Sequence, residues 1–166
     1  MPPSVIRTVY FSPQYVTQVQ SLVKETLGEF YDPSLFVNMD RSWHEGQMLA
    51  LDEDKVVGFL VSVISYQEKV RVLLFGIAEP YRGKGVAKQM MRAYIANCRR
   101  LKFREITLEV RISNARAMKF YSSFGFALLD RISAYYPDGE DGHVMTLVLK
   151  PEEYDQAPID QKPPFN

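Results

Sequence analysis

Arg82-Gly83-Lys84-Gly85-Val86-Ala87 places two glycines and two cations where an apolar run gives way to an amphipathic stretch. Before it, Val70-Arg71-Val72-Leu73-Leu74-Phe75-Gly76-Ile77 is rich in β-branched and large apolar residues, which predicts a buried strand. After it, Val86, Ala87, Met90, Met91, Tyr94, Ile95 and Cys98 recur at helical spacing. A glycine-opened turn into a helix leaves backbone N–H groups unpaired and presents the positive end of the helix dipole. That arrangement binds phosphate through the main chain. Arg82 and Lys84 add positive charge at the same place. Two common phosphate motifs are excluded: no Gly-Lys-Ser/Thr follows the gap a P-loop needs, and Gly-x-Gly-x-x-Gly fails after Gly85.

Two further segments carry chemistry. In the first, Leu108-Glu109-Val110-Arg111-Ile112-Ser113-Asn114 leads through Ala117-Met118 to Phe120-Tyr121 and Gly125-Phe126. Ile106, Leu108 and Val110 alternate with Thr107, Glu109 and Arg111, the period of a strand. Ser113 is the expected N-cap of the helix that follows, and Gly125 its left-handed stop. Ala117, Met118, Tyr121 and Phe124 share one helical face. The second segment is Tyr135-Tyr136-Pro137-Asp138-Gly139-Glu140-Asp141, a polar hairpin with paired tyrosines.

Taken in order, Arg82-x-x-Gly85-x-Ala87, the Leu108 to Phe126 string and the tyrosine hairpin resemble the GNAT N-acetyltransferases. They are most similar to the acetyltransferases of protein N-termini, including the ribosomal-protein alanine type. The resemblance implies acetyl-CoA as cosubstrate, held at Arg82, Gly83, Lys84, Gly85, Val86, Ala87 and Asn114, with Tyr121 beside the thioester sulfur. It puts the amide that polarises the thioester carbonyl at Ile77 or Ala78, with Gly76 allowing a bulge. One such donor is worth about 3 kcal/mol at the transition state. Tyr121 occupies the acid position, Glu109 the base position, and Tyr81 matches a tyrosine that assists in some relatives. Phe30 and Tyr31, with Tyr135 and Tyr136, are expected to line a narrow slot for the acceptor peptide.

The acceptor follows from amine chemistry. An α-amine has a pKa of about 7.7 to 8.0 and a lysine amine about 10.4, so at pH 7 roughly a tenth of α-amines but only some 0.04% of lysines are neutral. A modest base acting through water therefore serves an N-terminal amine. The expected acceptor is a protein or peptide N-terminus, with ribosomal proteins or the ribosome as partners by resemblance. A small-molecule amine, a lysine side chain, or a non-catalytic acetyl-CoA-binding module are the alternatives. Each site residue also has a purely structural reading: Glu109 on a solvated strand face, Tyr121 in the core, Tyr81 as a loop aromatic, the other aromatics as a seam.

The elements that must position these residues fit one domain. At 166 residues the chain can bury roughly 70% of its unfolded surface. Lys plus Arg and Asp plus Glu number 20 each, so no bulk field draws the chain to nucleic acid or a membrane surface. Phosphate recognition must be local. The single cysteine, Cys98, lies on the apolar stripe of a predicted helix and fits a reducing compartment. With no leader and no membrane-length apolar run, a cytoplasmic location is expected. His44 and His143 have no third partner at ligand spacing, so no metal is expected.

Periodicity predicts strands at Val5 to Phe11, Met48 to Leu51, Val56 to Ile64, from Val70, from Ile106, at Phe126 to Tyr135 and at Val144 to Leu149. Helices are predicted over Pro13 to Leu27, to about Trp43, from the glycine loop to about Leu101, and after Asn114. The order implies an α/β fold: one mixed, mostly antiparallel sheet of about seven strands with helices on both faces, the GNAT layout by resemblance. Residues 1–150 form the expected acetyltransferase domain, and 151–166 a proline-rich tail.

Overall fold

A computed structural model describes residues 4–150, so the proline-rich tail lies outside the described residues. Seven strands form one sheet in the order β1-β2-β3-β4-β5-β7-β6. They are β1 (Ile6–Tyr10), β2 (Met48–Asp52), β3 (Lys55–Tyr66), β4 (Lys69–Ile77), β5 (Glu105–Arg111), β6 (Ala127–Ile132) and β7 (Gly142–Val148). Every neighbouring pair is antiparallel except β4 and β5. Helices α1 (Val16–Leu27), α2 (Pro33–Ser42), α3 (Val86–Arg100) and α4 (Ala115–Ser122) complete the architecture.

Strand alternation divides the core in two. Leu49, Leu51, Val56, Phe59, Val61 and Leu74 pack with Val19, Leu22 and Val23 of α1 and Phe36 of α2. On the other face Met48, Ala50, Val57, Leu60, Ile106, Leu108 and Val110 pack under α3, with Met118 and Tyr121 of α4 against the same cluster. The helices therefore cover both faces, as the element order implies. The expected strand Phe126 to Tyr135 is shorter than predicted and ends at Ile132. β6 is an edge strand exposed along its whole length, and 133–141 make the tyrosine hairpin.

Two local details differ from the sequence reading. The cap of α4 is Asn114, whose side chain accepts from the Ala117 N–H, while Ser113 donates its own N–H to Glu140. Asn is as good a cap as Ser, and the turn of Ile112 and Ser113 after β5 brings Asn114 to the cap position. The bulge in β4 is not at Gly76: the register with β3 shifts between Val61 and Ser62, opposite Leu73. Gly76 is needed for another reason. A Cβ there would stand 2.7 Å from the buried Phe59 ring and 3.4 Å from Thr26 Oγ1, so glycine lets the end of α1 settle over β4.

Candidate active site

β4 and β5 run side by side for only three residue pairs, Lys69 with Glu105, Val70 with Ile106 and Arg71 with Thr107. Beyond Arg71 the strands part, and a cleft of about 560 Å³ opens in line with the fork. One wall is the end of β4 and the start of α3; the other is the start of α4, with Asn114, Ala117, Phe120 and Tyr121. The fork leaves main-chain groups of β4 without a neighbouring strand. Ala78 donates its N–H to Val57 O at 2.8 Å. Antiparallel alternation then turns the N–H and C=O of Ile77 away from β3, towards the gap. Of the two amides expected at the carbonyl, Ile77 faces the cleft and Ala78 is already engaged.

The turn into α3 has the geometry the sequence implies. Gly83 and Gly85 adopt φ of +73° and +81°, the left-handed region, with open space where a Cβ would lie. No side chain caps α3, and its first internal bond runs from Gln89 N to Gly85 O at 3.0 Å. The N–H groups of 86–88 precede that bond and have no intrahelical acceptor. Arg82, Lys88 and Arg116 border the cleft, and no carboxylate does among the described residues. Arg82 is not a free cation: its Nε donates to Ile77 O at 3.0 Å, which pins the loop to the strand end. Lys84 is off the cleft wall, its ammonium 5.9 Å from the centre of the Tyr81 ring. Asn114 spends Oδ1 on its cap and keeps its amide nitrogen for the cleft.

Tyr121 forms part of the cleft wall, with its ring edge-on to Phe120 and Phe126 at 5.4 and 5.6 Å. Gly125, at φ +99°, turns the chain so that the Phe126 N–H returns to Tyr121 O at 3.2 Å and fixes the end of α4. Burial first, and then the nearby Tyr136, push the Tyr121 phenol up to about 12. It is thus held in the protonated form that an acid needs. Tyr81 is different. Its hydroxyl donates to Asp52 at 2.5 Å, and this bond to a carboxylate raises its pKa. A phenol aimed at an anion is a poor base.

Glu109 lies outside the cleft lining, on β5 beyond the fork. Both of its carboxylate oxygens meet Arg71 Nε, at 2.9 and 3.1 Å. Arg71 Nη2 also donates to the Tyr135 hydroxyl at 2.8 Å. Tyr136 stands perpendicular to Tyr135 with ring centres 4.9 Å apart and lies under the Arg111 guanidinium at 4.1 Å. Arg111 in turn bonds Asp138 and Glu140, each at 2.8 Å, so it is a structural tie and not a solvated charge. Across the site, Tyr31 donates its hydroxyl to Glu29 and is pushed up to about 12 by burial and that contact. Phe30 is 69% exposed, just beyond the end of α1 that lies over Gly76. The two aromatic pairs come from opposite sides of the fork and make no ring contact with each other among the described residues.

A model of the Acetyltransferase (GNAT) family matches residues 16–126. The chain belongs to that family. N-alpha-acetyltransferase 30 of Schizosaccharomyces pombe is 29% identical over 82% of this chain and 94% of its own length. N-alpha-acetyltransferase MAK3 of Arabidopsis thaliana is 27% identical over 91% of this chain and 81% of its own. The crystal structure of Ard1 from Thermoplasma volcanium superposes with a TM-score of 0.82 at 30% identity, covering 87% of this chain and 98% of that one.

Arg71, bonded to Glu109 and Tyr135, is a residue that sequence reasoning missed. It sits out of phase with Val70 and Val72, so its charge on the opposite strand face was a readable signal. Its partner was not readable, because a parallel register between strands so far apart in sequence has no local signature. Among the described residues no group of three or more His, Cys, Asp and Glu is placed to hold a metal ion. No helix among them is long and apolar enough to cross a membrane.

Proposed function

We propose that the protein transfers the acetyl group of acetyl-CoA to the N-terminal α-amine of proteins or peptides, by direct attack with both substrates bound. The observation that carries this reading is the fork. It joins an uncapped, glycine-opened helix start to an outward-facing strand amide and the Tyr121 phenol in one cleft. The names of the similar proteins point to the same reaction.

Acetyl-CoA supplies the activated acyl group; the chain's residues supply placement and proton traffic. The amides of Gly83 to Lys88 face an anion, and the bordering cations complement it. Ile77 N–H is aimed at the gap, where it stabilises negative charge on a carbonyl oxygen. Tyr121 donates the proton that a departing thiolate requires. Glu109 accepts a proton from the α-amine through water, a modest demand given how much of that amine is already neutral at pH 7. The tyrosines of the hairpin and the aromatics after α1 flank the acceptor's path. A cytoplasmic reaction on ribosomal proteins or nascent chains belongs to this reading, with which the single cysteine, Cys98, free and buried, is compatible.

The test offers acetyl-CoA with peptides beginning Ser, Ala or Met, and with a lysine-bearing peptide whose terminus is blocked. Thiol release with the unblocked peptides alone is the expected result. Release with the blocked lysine peptide assigns the site to side-chain amines, and no release with any amine leaves a binding module.

A further inference from the structure

Arg71 occupies the last position at which β4 and β5 are paired, opposite Thr107, and therefore stands at the apex of the fork. Its side chain reaches along β5 to Glu109, on the same face, and on to the hairpin that follows β6. Nε meets both oxygens of Glu109, and Nη2 meets the phenol of Tyr135. A planar guanidinium fixes the direction of each bond it makes, which a lysine ammonium does not. The Glu109 side chain is only 15% exposed and Arg71 36%. A carboxylate this far out of water needs a cation, and its rotamer is set by the one it has. Tyr135 is held in turn from below, where Gly142 leaves room for its ring: a Cβ there would lie 3.1 Å from Tyr135 Cδ1. Base and acceptor-side hairpin are thus bolted to one residue from a third strand.

We propose that Arg71 is a positioning residue for acetyl transfer, orienting the Glu109 carboxylate and the Tyr135 hairpin relative to each other across the fork. The inference rests on the function proposed above. It makes the acceptor side of the site a single unit: a shift of the hairpin reaches Glu109 through the guanidinium, while the cofactor loop is untouched.

The test measures steady-state acetylation of an unblocked peptide, acetyl-CoA binding by calorimetry, and thermal melting. Arg71→Met keeps the length and apolar stem of the side chain and removes both bonds. Its kcat is expected to fall roughly 30-fold, less than the ~100-fold or more that a general base supplies because Glu109 is misaligned and not removed, with KM for the peptide raised and acetyl-CoA affinity changed less than about 2-fold. Arg71→Lys restores a cation beside Glu109 without the fork and should recover part of kcat. The double variant Arg71→Met/Glu109→Gln should have no lower kcat than Glu109→Gln alone, since Arg71 acts on kcat through Glu109, while its peptide KM stays raised through Tyr135. Arg104→Gln, which removes an exposed ion pair with Glu68 at the other end of β5, serves as control.

A wild-type rate in Arg71→Met, with the parent chain active, overturns this inference alone. So does a parallel loss of kcat, acetyl-CoA affinity and melting temperature, which marks a merely structural tie, and so do additive losses of kcat in the double variant. A parent chain that transfers to no amine overturns the proposed function and this inference together.

Discussion

In the proposed reaction the cofactor side and the acceptor side of the fork are built by different means. The cofactor wall, from Ile77 to Lys88, works with the main chain: an outward strand amide, two glycines at positive φ and an uncapped helix start. The proposed acceptor side lies outside the cleft lining and relies on side chains drawn from β4, β5, the hairpin and the loop after α1: Arg71, Glu109, Tyr135, Tyr136, Phe30 and Tyr31. A main-chain site is indifferent to most side chains but intolerant of any change in backbone conformation. A side-chain site is the reverse. The cofactor can therefore stay constant while the acceptor pocket changes, because the two are encoded in different kinds of residue.

Substitutions on each side should separate these properties. The largest effect is expected from Gly85→Asp. A residue with a Cβ at φ +81° costs about 1–2 kcal/mol of backbone strain, and the carboxylate sits against the phosphate-binding amides. Acetyl-CoA binding by calorimetry should fall more than about 100-fold, at least ~2.7 kcal/mol, with far-UV circular dichroism unchanged. Lys84→Ala, one residue away but off the cleft wall, should cost less than about 1 kcal/mol. Equal losses in the two variants would mean that charge and not backbone shape holds the cofactor.

Next in size is Tyr121→Phe. Removing the proton donor should lower kcat about 100-fold with acetyl-CoA affinity within about 2-fold of the parent. A wild-type kcat takes Tyr121 out of the acid role. Tyr81→Phe is expected to matter less, since its hydroxyl is committed to Asp52; a kcat loss as large as that of Tyr121→Phe would reverse the ranking.

A smaller effect concerns alkaline stability. Burial shifts Tyr121 from the ordinary phenol value of 10.0 to about 12, so the fold prefers its neutral form. That contribution is complete below pH 10 and is lost as pH rises from 10 through about 12. Melting temperature should decline over that window, and less steeply in Tyr121→Phe, which lacks this phenol while Tyr31 and Cys98 still titrate there. The smallest change is Arg104→Gln. Its pair with Glu68 is 2.7 Å long but about 60% exposed on both sides, and stability should move by less than about 0.5 kcal/mol.

The same contrast explains how much of the molecule could be read from its sequence. The strands, helices and glycine loop carry local signals: Val86, Met90 and Tyr94 at helical spacing, Ile106, Leu108 and Val110 in alternation, Gly85 where φ must be positive. The glycine-opened turn of the proposed cofactor side lies within one such segment, so its backbone was legible locally, whereas the bond of Arg82 to Ile77 O and the place of Lys84 off the cleft wall were not. The acceptor side is not local. Glu109 was legible as a polar residue on an alternating strand, and as a base by resemblance alone; that its carboxylate faces Arg71, and Arg71 faces Tyr135, depends on sheet register and hairpin placement. Single-residue choices went the same way. Ser113 and Asn114 are equally good caps by type, and only the turn after β5, where Ser113 N–H meets Glu140 of the hairpin, decides between them. Gly76 was marked as special, but its reason is the Phe59 ring packed across the sheet.

The account stands on the main-chain amides of Gly83 to Ala87 as the holders of the coenzyme A diphosphate. Amide chemical shifts in a ¹⁵N-labelled protein titrated with acetyl-CoA test this directly. The resonances of Gly83, Lys84, Gly85, Val86 and Ala87 should move furthest, together with Ile77, while amides in β1 and β2 stay in place. Saturable binding that leaves the loop amides unshifted would contradict it.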